Sequence, residues 1–380
     1  MKTINLVAAV IILFLISSAS AQVKDDLLRP FFGFYDSQSL TNAIGHATVA
    51  SGHLIPGKTS NPANLGMHRF YHLTGCFVNG QFESDNSNIS NLNIGGVYAI
   101  LPYKVFQGSM VVGLGIQRDI DFSGGSKDNS YEILEEGGLY STQAGIAVEF
   151  VENLFVGAEV SYLRGEDEVS KLGLQNSTHL NPDYSGFEAS LGFVQMLSPH
   201  AQMGASIQLP SYVWVDEVIT SWPTDSTELA LRDLTEYTLR KPLAFHAGFA
   251  VMYEYINLFY EWEWTDWRNL EFSSDEYFAG DVIEINNEIQ GEMKATSTHH
   301  IGMAVHPPWI PLHVYTGYQY MPTQYSGAYD GNRRQSLSFG LSYVLNQQMS
   351  IHTSSTRYYW KYLGEKENFT QLVFGFSLHY

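Results

Sequence analysis

The sequence predicts an all-β fold: a transmembrane, antiparallel, up-and-down β-barrel of about fourteen strands preceded by an N-terminal hatch or plug. Three observations lead there. Large apolar residues recur at every second position along many short segments, which is the side-chain period of a strand. Beyond the first 21 residues, no apolar stretch approaches the roughly 20 residues that a membrane helix needs. The connections between segments alternate strictly between long and short, as in barrels with loops at one end and tight turns at the other.

The N-terminus, "MKTINLVAAVIILFLISSASAQ", carries one positive charge at Lys2, an apolar run from about Leu6 to Ile16, and small residues at Ala19 and Ala21. That pattern reads as a secretory signal peptide over residues 1–21, because the run is too short to span a bilayer and an A-x-A site follows it. Residues 22–70 do not alternate. They are rich in Gly, Ser, Asn and Ala, and the aromatics Phe31, Phe32, Phe34 and Tyr35 set them apart from a disordered tail. Fourteen strands enclose a lumen too wide for wall side chains to fill, so this segment is expected to act as a hatch.

Residues 71–380 form the expected barrel. In "LFVGAEVSYL", Leu154, Val156, Ala158, Val160 and Tyr162 share one face, and Gly157, Glu159 and Ser161 the other. "FEASLGFV", "LAFHAGFAVMY" and "INLFYEWEW" repeat the scheme, the last placing Asn257, Phe259, Glu261 and Glu263 opposite Ile256, Leu258, Tyr260, Trp262 and Trp264. Strands are expected near 72–82, 92–102, 109–119, 138–150, 153–164, 185–197, 200–216, 241–253, 255–265, 295–306, 311–321, 334–345, 347–360 and 368–380. The stretches 164–184, 216–240 and 266–294 are read as long loops. The chain ends in mid-strand at "LVFGFSLHY", with Leu372, Phe374, Phe376, Leu378 and Tyr380 on one face. Backbone groups inside a bilayer find no water, so the last strand must pair with the first. Both termini then lie on the tight-turn side, expected to be periplasmic.

The composition narrows the function. Twenty-four Tyr, 22 Phe and 7 Trp gather toward segment ends, where headgroups lie. A net charge of -19 argues against nucleic acid as a partner. Most of the acidic surplus falls in the long loops, where it either solvates the exterior or bridges divalent cations to lipopolysaccharide. The single cysteine, Cys76, has no intrachain disulfide partner. On the inward faces stand Glu159, Glu188, Glu261, Glu263, His246 and His300. They lack metal-ligand spacing and no nucleophile motif accompanies them, so they read as pore lining rather than as an enzyme or metal site.

A signal peptide, a hatch-like segment ending in "NPANLG" (Asn61, Pro62, Ala63) and fourteen strands ending on an aromatic resemble the FadL-type outer-membrane transporters of long-chain fatty acids and other hydrophobic compounds. The Asn-Pro-Ala triplet is the match at motif level. The resemblance implies passive uptake of a small hydrophobic molecule, fatty-acid-like or aromatic, without a cofactor. It implies a ligand or gating role for Asn61, Pro62 and Ala63. It also implies a kink in the third strand, which Gly113 and Gly115 would permit. The family's loop groove corresponds to "VSKLGLQ" and "LALRDLTEYTLR", where Leu229, Leu231, Leu234 and Tyr237 form either an apolar helical face or simple loop packing. A secretion-associated or structural barrel with a protein partner, and a general polar porin, stand as alternatives.

Overall fold

The computed structural model describes residues 29–31, 34–35, 38–83, 88–122, 124–127, 131–173, 176–223, 231–326, 333–362 and 365–380. The expected signal peptide lies outside them. Fourteen antiparallel wall strands follow one another in chain order and close on themselves. They are β1 His72–Glu83, β2 Asn88–Tyr103, β3 Met110–Asp121 with its continuation Gly124–Lys127, β4 Tyr131–Val151, β5 Leu154–Gly173 and β6 Asn176–Ser198. Next come β7, in two stretches Ala201–Gln208 and Ser211–Pro223, and β8, in two stretches Leu231–Lys241 and Ala244–Tyr253. The remainder are β9 Ile256–Asp266 with Glu271–Ser273, β10 Ala295–Val305, β11 Leu312–Pro322, β12 Arg333–Asn346, β13 Met349–Tyr362 and β14 Glu365–His379. The two interruptions coincide with Pro210 and Pro242, which have no N–H to give the ladder.

β14 closes on β1 in register from Asn368 opposite Glu83 to His379 opposite His72. Tyr380 extends that seam by one step, exchanging both backbone hydrogen bonds with Tyr71 at 3.0 Å. The last strand thus pairs with the first and closes the ring.

The wall is apolar outside and polar or small inside. Phe77, Leu92, Ile94, Ile116, Val160 and Phe374 point outward and are more than half exposed. Ser141, Gln143, Gln202, Ser206, Gln371 and Ser377 point inward and are buried. Three stretches expected as loops are strand instead. Residues 164–173 pair with 131–140, 176–184 pair with 215–223, and 231–241 pair with 211–221, so the sheet rises well beyond the apolar band as paired ribbons. Ladder hydrogen bonds do not require apolar side chains, and outside the band both faces are free to be polar.

Inside the wall lies the N-terminal segment. A short helix, α1 Ser39–Ala43, and a 3-10 turn, Pro62–Met67, are buried throughout. Leu40, Ile44, Ala47, Val49 and Ile55 pack on the inward residues Ala250, Phe259, Ala304 and Tyr315. A series of inward glycines on the wall makes this possible. A Cβ at Gly157 would come within 2.6 Å of the Ala63 nitrogen, and one at Gly302 within 2.5 Å of the Ile44 carbonyl oxygen. At Gly192, Gly204, Gly317 and Gly340 it would collide with Asn61, Val49, Gly45 and Ala43 respectively. Gly157 pairs with Gly192, Gly204 with Gly248 and Gly302 with Gly317, so neighbouring strands lack side chains at the same height and leave shallow seats for backbone.

Over the long-loop end, helix α2 Ala279–Glu292 turns Ile289 into a buried cluster with Trp267, Leu270, Phe272, Tyr237 and Phe31. Val282, Ile285 and Tyr277 pack against the same cluster. Asn286 pins the helix to the wall, accepting from the Phe272 N–H at 2.9 Å and donating to its carbonyl at 2.8 Å.

Candidate ligand site

Between the α2 cluster and the N-terminal segment lies a cavity of about 1010 Å³. Phe31, Ile120, Leu139, Leu163 and Trp267 line its apolar part. Its polar part is built from wall positions of inward parity together with three stretches of the N-terminal segment.

Glu261, 1 % exposed, acts as the anchor. Its Oε2 accepts from the backbone N–H groups of Thr48 and Val49, each at 2.7 Å, and from the Ser60 hydroxyl at 3.0 Å. Its Oε1 faces His246 Nδ1 at 2.9 Å. A carboxylate that accepts two N–H groups and a hydroxyl fixes the turn at residues 48 and 49 by charge-assisted bonds. Gln202 Nε2 donates to the Ala50 carbonyl at 2.5 Å, Ser206 Oγ to the Ser60 carbonyl at 2.6 Å, and Asn42 Nδ2 to Gln371 Oε1 at 3.1 Å.

Two lysines meet carboxylates at the cavity. Lys58 Nζ is 3.2 Å from Asp119 Oδ1, and Lys241 Nζ is 3.1 Å from Glu188 Oε1. Burial opposes the charge on Lys58, but Asp119, Glu159 and Glu188 outweigh it and hold its pKa above the ordinary lysine value. His300 Nδ1 lies 3.0 Å from the Gly45 carbonyl, and its Nε2 lies 3.6 Å from Glu263 Oε2. Among the described residues no group of three or more His, Cys, Asp or Glu is placed to hold a metal ion.

All six sequence-predicted lumen residues face inward; Glu188, His246, Glu261, Glu263 and His300 line the cavity, and Glu159 is buried below it beside the Lys58 cluster. Asn61 is fully buried, and its side chain works three ways. Nδ2 donates to the Val49 and Phe193 carbonyls at 2.8 Å each, while Oδ1 accepts from the Ala63 N–H at 3.0 Å and caps the 3-10 turn. Pro62 takes the first position of that turn, where a missing N–H costs nothing.

The other expected positions behave differently. Gly113 pairs with both Ile100 and Gly145, and Gly115 with both Tyr98 and Gln143, so the ladder is unbroken there. Their missing side chains make room for the Tyr98 ring. The register shift in β3 falls between Arg118 and Ile120 instead. Leu229 lies outside the described residues. Leu231, Leu234 and Tyr237 belong to a strand rather than a helix, so Leu234 points out at 53 % exposure and Tyr237 points in, 5.4 Å from the Phe272 ring. Pairing on one side with Ser211–Ser221 and on the other with Glu271–Ser273 gives those backbone groups partners that a free loop helix would have had to supply itself.

The apolar roof comes from α2, a stretch expected as loop. Its signal is present in the sequence, since Val282, Ile285 and Ile289 recur at helical spacing among acidic residues.

No family model matches the sequence, and no curated protein matches it. Solved structures do match. The CymD monoaromatic hydrocarbon channel superposes with a TM-score of 0.66 at 13% identity, covering 91% of this chain and 98% of that one. A FadL homologue from Pseudomonas aeruginosa gives 0.66 at 14% identity, covering 92% and 99%. The toluene transporter TodX of Pseudomonas putida gives 0.64 at 13% identity, covering 92% and 98%. The fold is that of FadL-type channels. Superposition over nine-tenths of both chains at such low identity shows a shared fold.

Proposed function

We propose that this chain is an outer-membrane channel, not an enzyme, through which a small hydrophobic molecule enters by passive diffusion. The observation that carries the reading is the cavity of about 1010 Å³ in a FadL-type barrel, roofed by apolar side chains and floored by the N-terminal segment. Cavities that enclose organic ligands run from roughly 300 to 1,000 Å³. The solved structures of like fold include channels named for monoaromatic hydrocarbons and toluene, which supports hydrophobic cargo.

In this reading residues 1–21 are a cleaved export signal, 22–70 a plug, and 71–380 the barrel. The membrane is the outer membrane of a Gram-negative cell, with both termini periplasmic and lipopolysaccharide around the long-loop end. Cargo passes the α2 roof, rests in the cavity, and leaves when the plug shifts around Asn61, Pro62 and Ala63.

Native mass spectrometry with lipid extraction, on barrel purified from its own membrane, tests this. A co-purifying apolar small molecule is the expected result. An empty barrel carrying a stoichiometric protein would overturn the channel reading in favour of a secretion-associated barrel.

A further inference from the structure

Where Glu263 and His300 meet, the cavity holds a mismatch. A carbonyl oxygen only accepts, so His300 Nδ1 must carry the proton that it shares with the Gly45 carbonyl at 3.0 Å. In the neutral ring Nε2 is then an acceptor. It is buried, His300 being 6 % exposed, and it has no hydrogen-bond partner. The group opposite, at 3.6 Å, is the Glu263 carboxylate, which also accepts. With the ring neutral, two acceptors face each other; with it protonated, the Nε2–H still stands 3.6 Å from the carboxylate, and in both states the Glu263 oxygens that open to the cavity accept from whatever donor enters it.

The surrounding charges point the same way. Lys58 is matched by Asp119 and Lys241 by Glu188. Glu261 and Glu263 face His246 and His300. Whether those imidazoles are neutral or protonated, this constellation carries no surplus positive charge. Glu263 is also the most open of the eight, its side chain 31% exposed. The remaining cations that line the cavity, Arg333, Arg334 and Lys361, stand at the long-loop ends of β12 and β13. There Arg333 and Arg334 lie over the Tyr320 and Trp360 rings.

We propose that the cavity takes an amphiphile with a hydrogen-bond-donating head, an alkyl or aryl ammonium being the simplest, seated between Glu263 and His300 Nε2 with its apolar body toward Trp267 and Leu163. An ammonium offers three donors and no acceptor, so it bonds to the Glu263 carboxylate in either state of the ring and to His300 Nε2 as well when the ring is neutral. A carboxylate head brings further acceptors and negative charge to a place that already has both. This deepens the channel reading and rests on it.

The test is titration of decylamine, decanoate and 1-decanol into the full chain in phosphatidylcholine nanodiscs at pH 7, with empty nanodiscs subtracted and tryptophan fluorescence as readout. Decylamine is expected to bind at least about tenfold tighter than decanoate, a difference of about 1.4 kcal/mol. Glu263→Gln is expected to remove about that factor for the amine and to weaken 1-decanol, which brings one uncharged donor, by less. The comparison of amine with carboxylate on the unaltered chain stands whether or not the variant folds. Decanoate binding as tightly as decylamine, or amine binding indifferent to Glu263→Gln in a folded barrel, overturns the head-group assignment while hydrophobic cargo survives. Failure of all three probes overturns both.

Discussion

Asn61 performs with one amide a task that usually takes several residues: it caps the Pro62–Met67 turn, ties it to Val49, and ties both to the β6 wall at Phe193. Asn61→Ala would strand a buried N–H and remove a donor from two carbonyls. Net hydrogen-bond contributions of about 1 kcal/mol each put the expected loss near 2–3 kcal/mol. It should read as a lower thermal midpoint and as tryptic cleavage after Lys58 while the barrel itself stays resistant. An unchanged midpoint and an uncut Lys58 would show that the tether is dispensable. Much at this scale was legible beforehand. The Asn-Pro-Ala triplet stands out in the sequence, and parity places Glu159, Glu188, Glu261, Glu263, His246 and His300 inside. Their partners were not legible, because Thr48 lies 213 residues from Glu261 in the chain and Lys58 lies 61 from Asp119. Inward glycines were legible only as small residues; that each one seats a particular backbone atom emerges once the segment is in place.

At the scale of elements, α2 covers the cavity through a narrow apolar stripe, and its outer side remains exposed at Ile283. Ile289→Glu places a carboxylate in the cluster of Trp267, Leu270 and Phe272, which costs several kcal/mol unless the helix lifts away. The expected outcome is faster exchange of bound ligand and greater protease access within residues 279–292, with the barrel still assembled. Unaltered exchange in a folded variant would mean that α2 does not govern access. Period-two segments predicted all fourteen strands, including the two nearest the N-terminus. The ribbon extensions of β4 through β8 escaped, because beyond the apolar band both strand faces are polar and the contrast that marks a strand disappears.

For the whole molecule, the proposed channel has its permeability limited by the segment buried within the closed ring. A barrel of fourteen strands without filling is wide enough for water and ions. The intact chain is therefore expected to show little steady ion conductance in planar bilayers, and a chain lacking residues 38–67 a conductance of porin size. Equal conductance of the two would count against the plug. The exposed apolar residues of the outer wall are spread around the ring rather than gathered in one patch.

Sequence alone determined which face the strand residues of the apolar band occupy, where the tight turns fall and that the last strand must meet the first. These follow from local geometry, two residues per pleat, and from the absence of backbone hydrogen-bond partners in lipid. Tertiary structure alone decided which glycine seats which turn, which carboxylate meets which lysine, and that Glu263 and His300 face each other at 3.6 Å. Those meetings depend on the stagger of a closed ring and on the path of a segment that crosses its interior, and no local period in the chain encodes either.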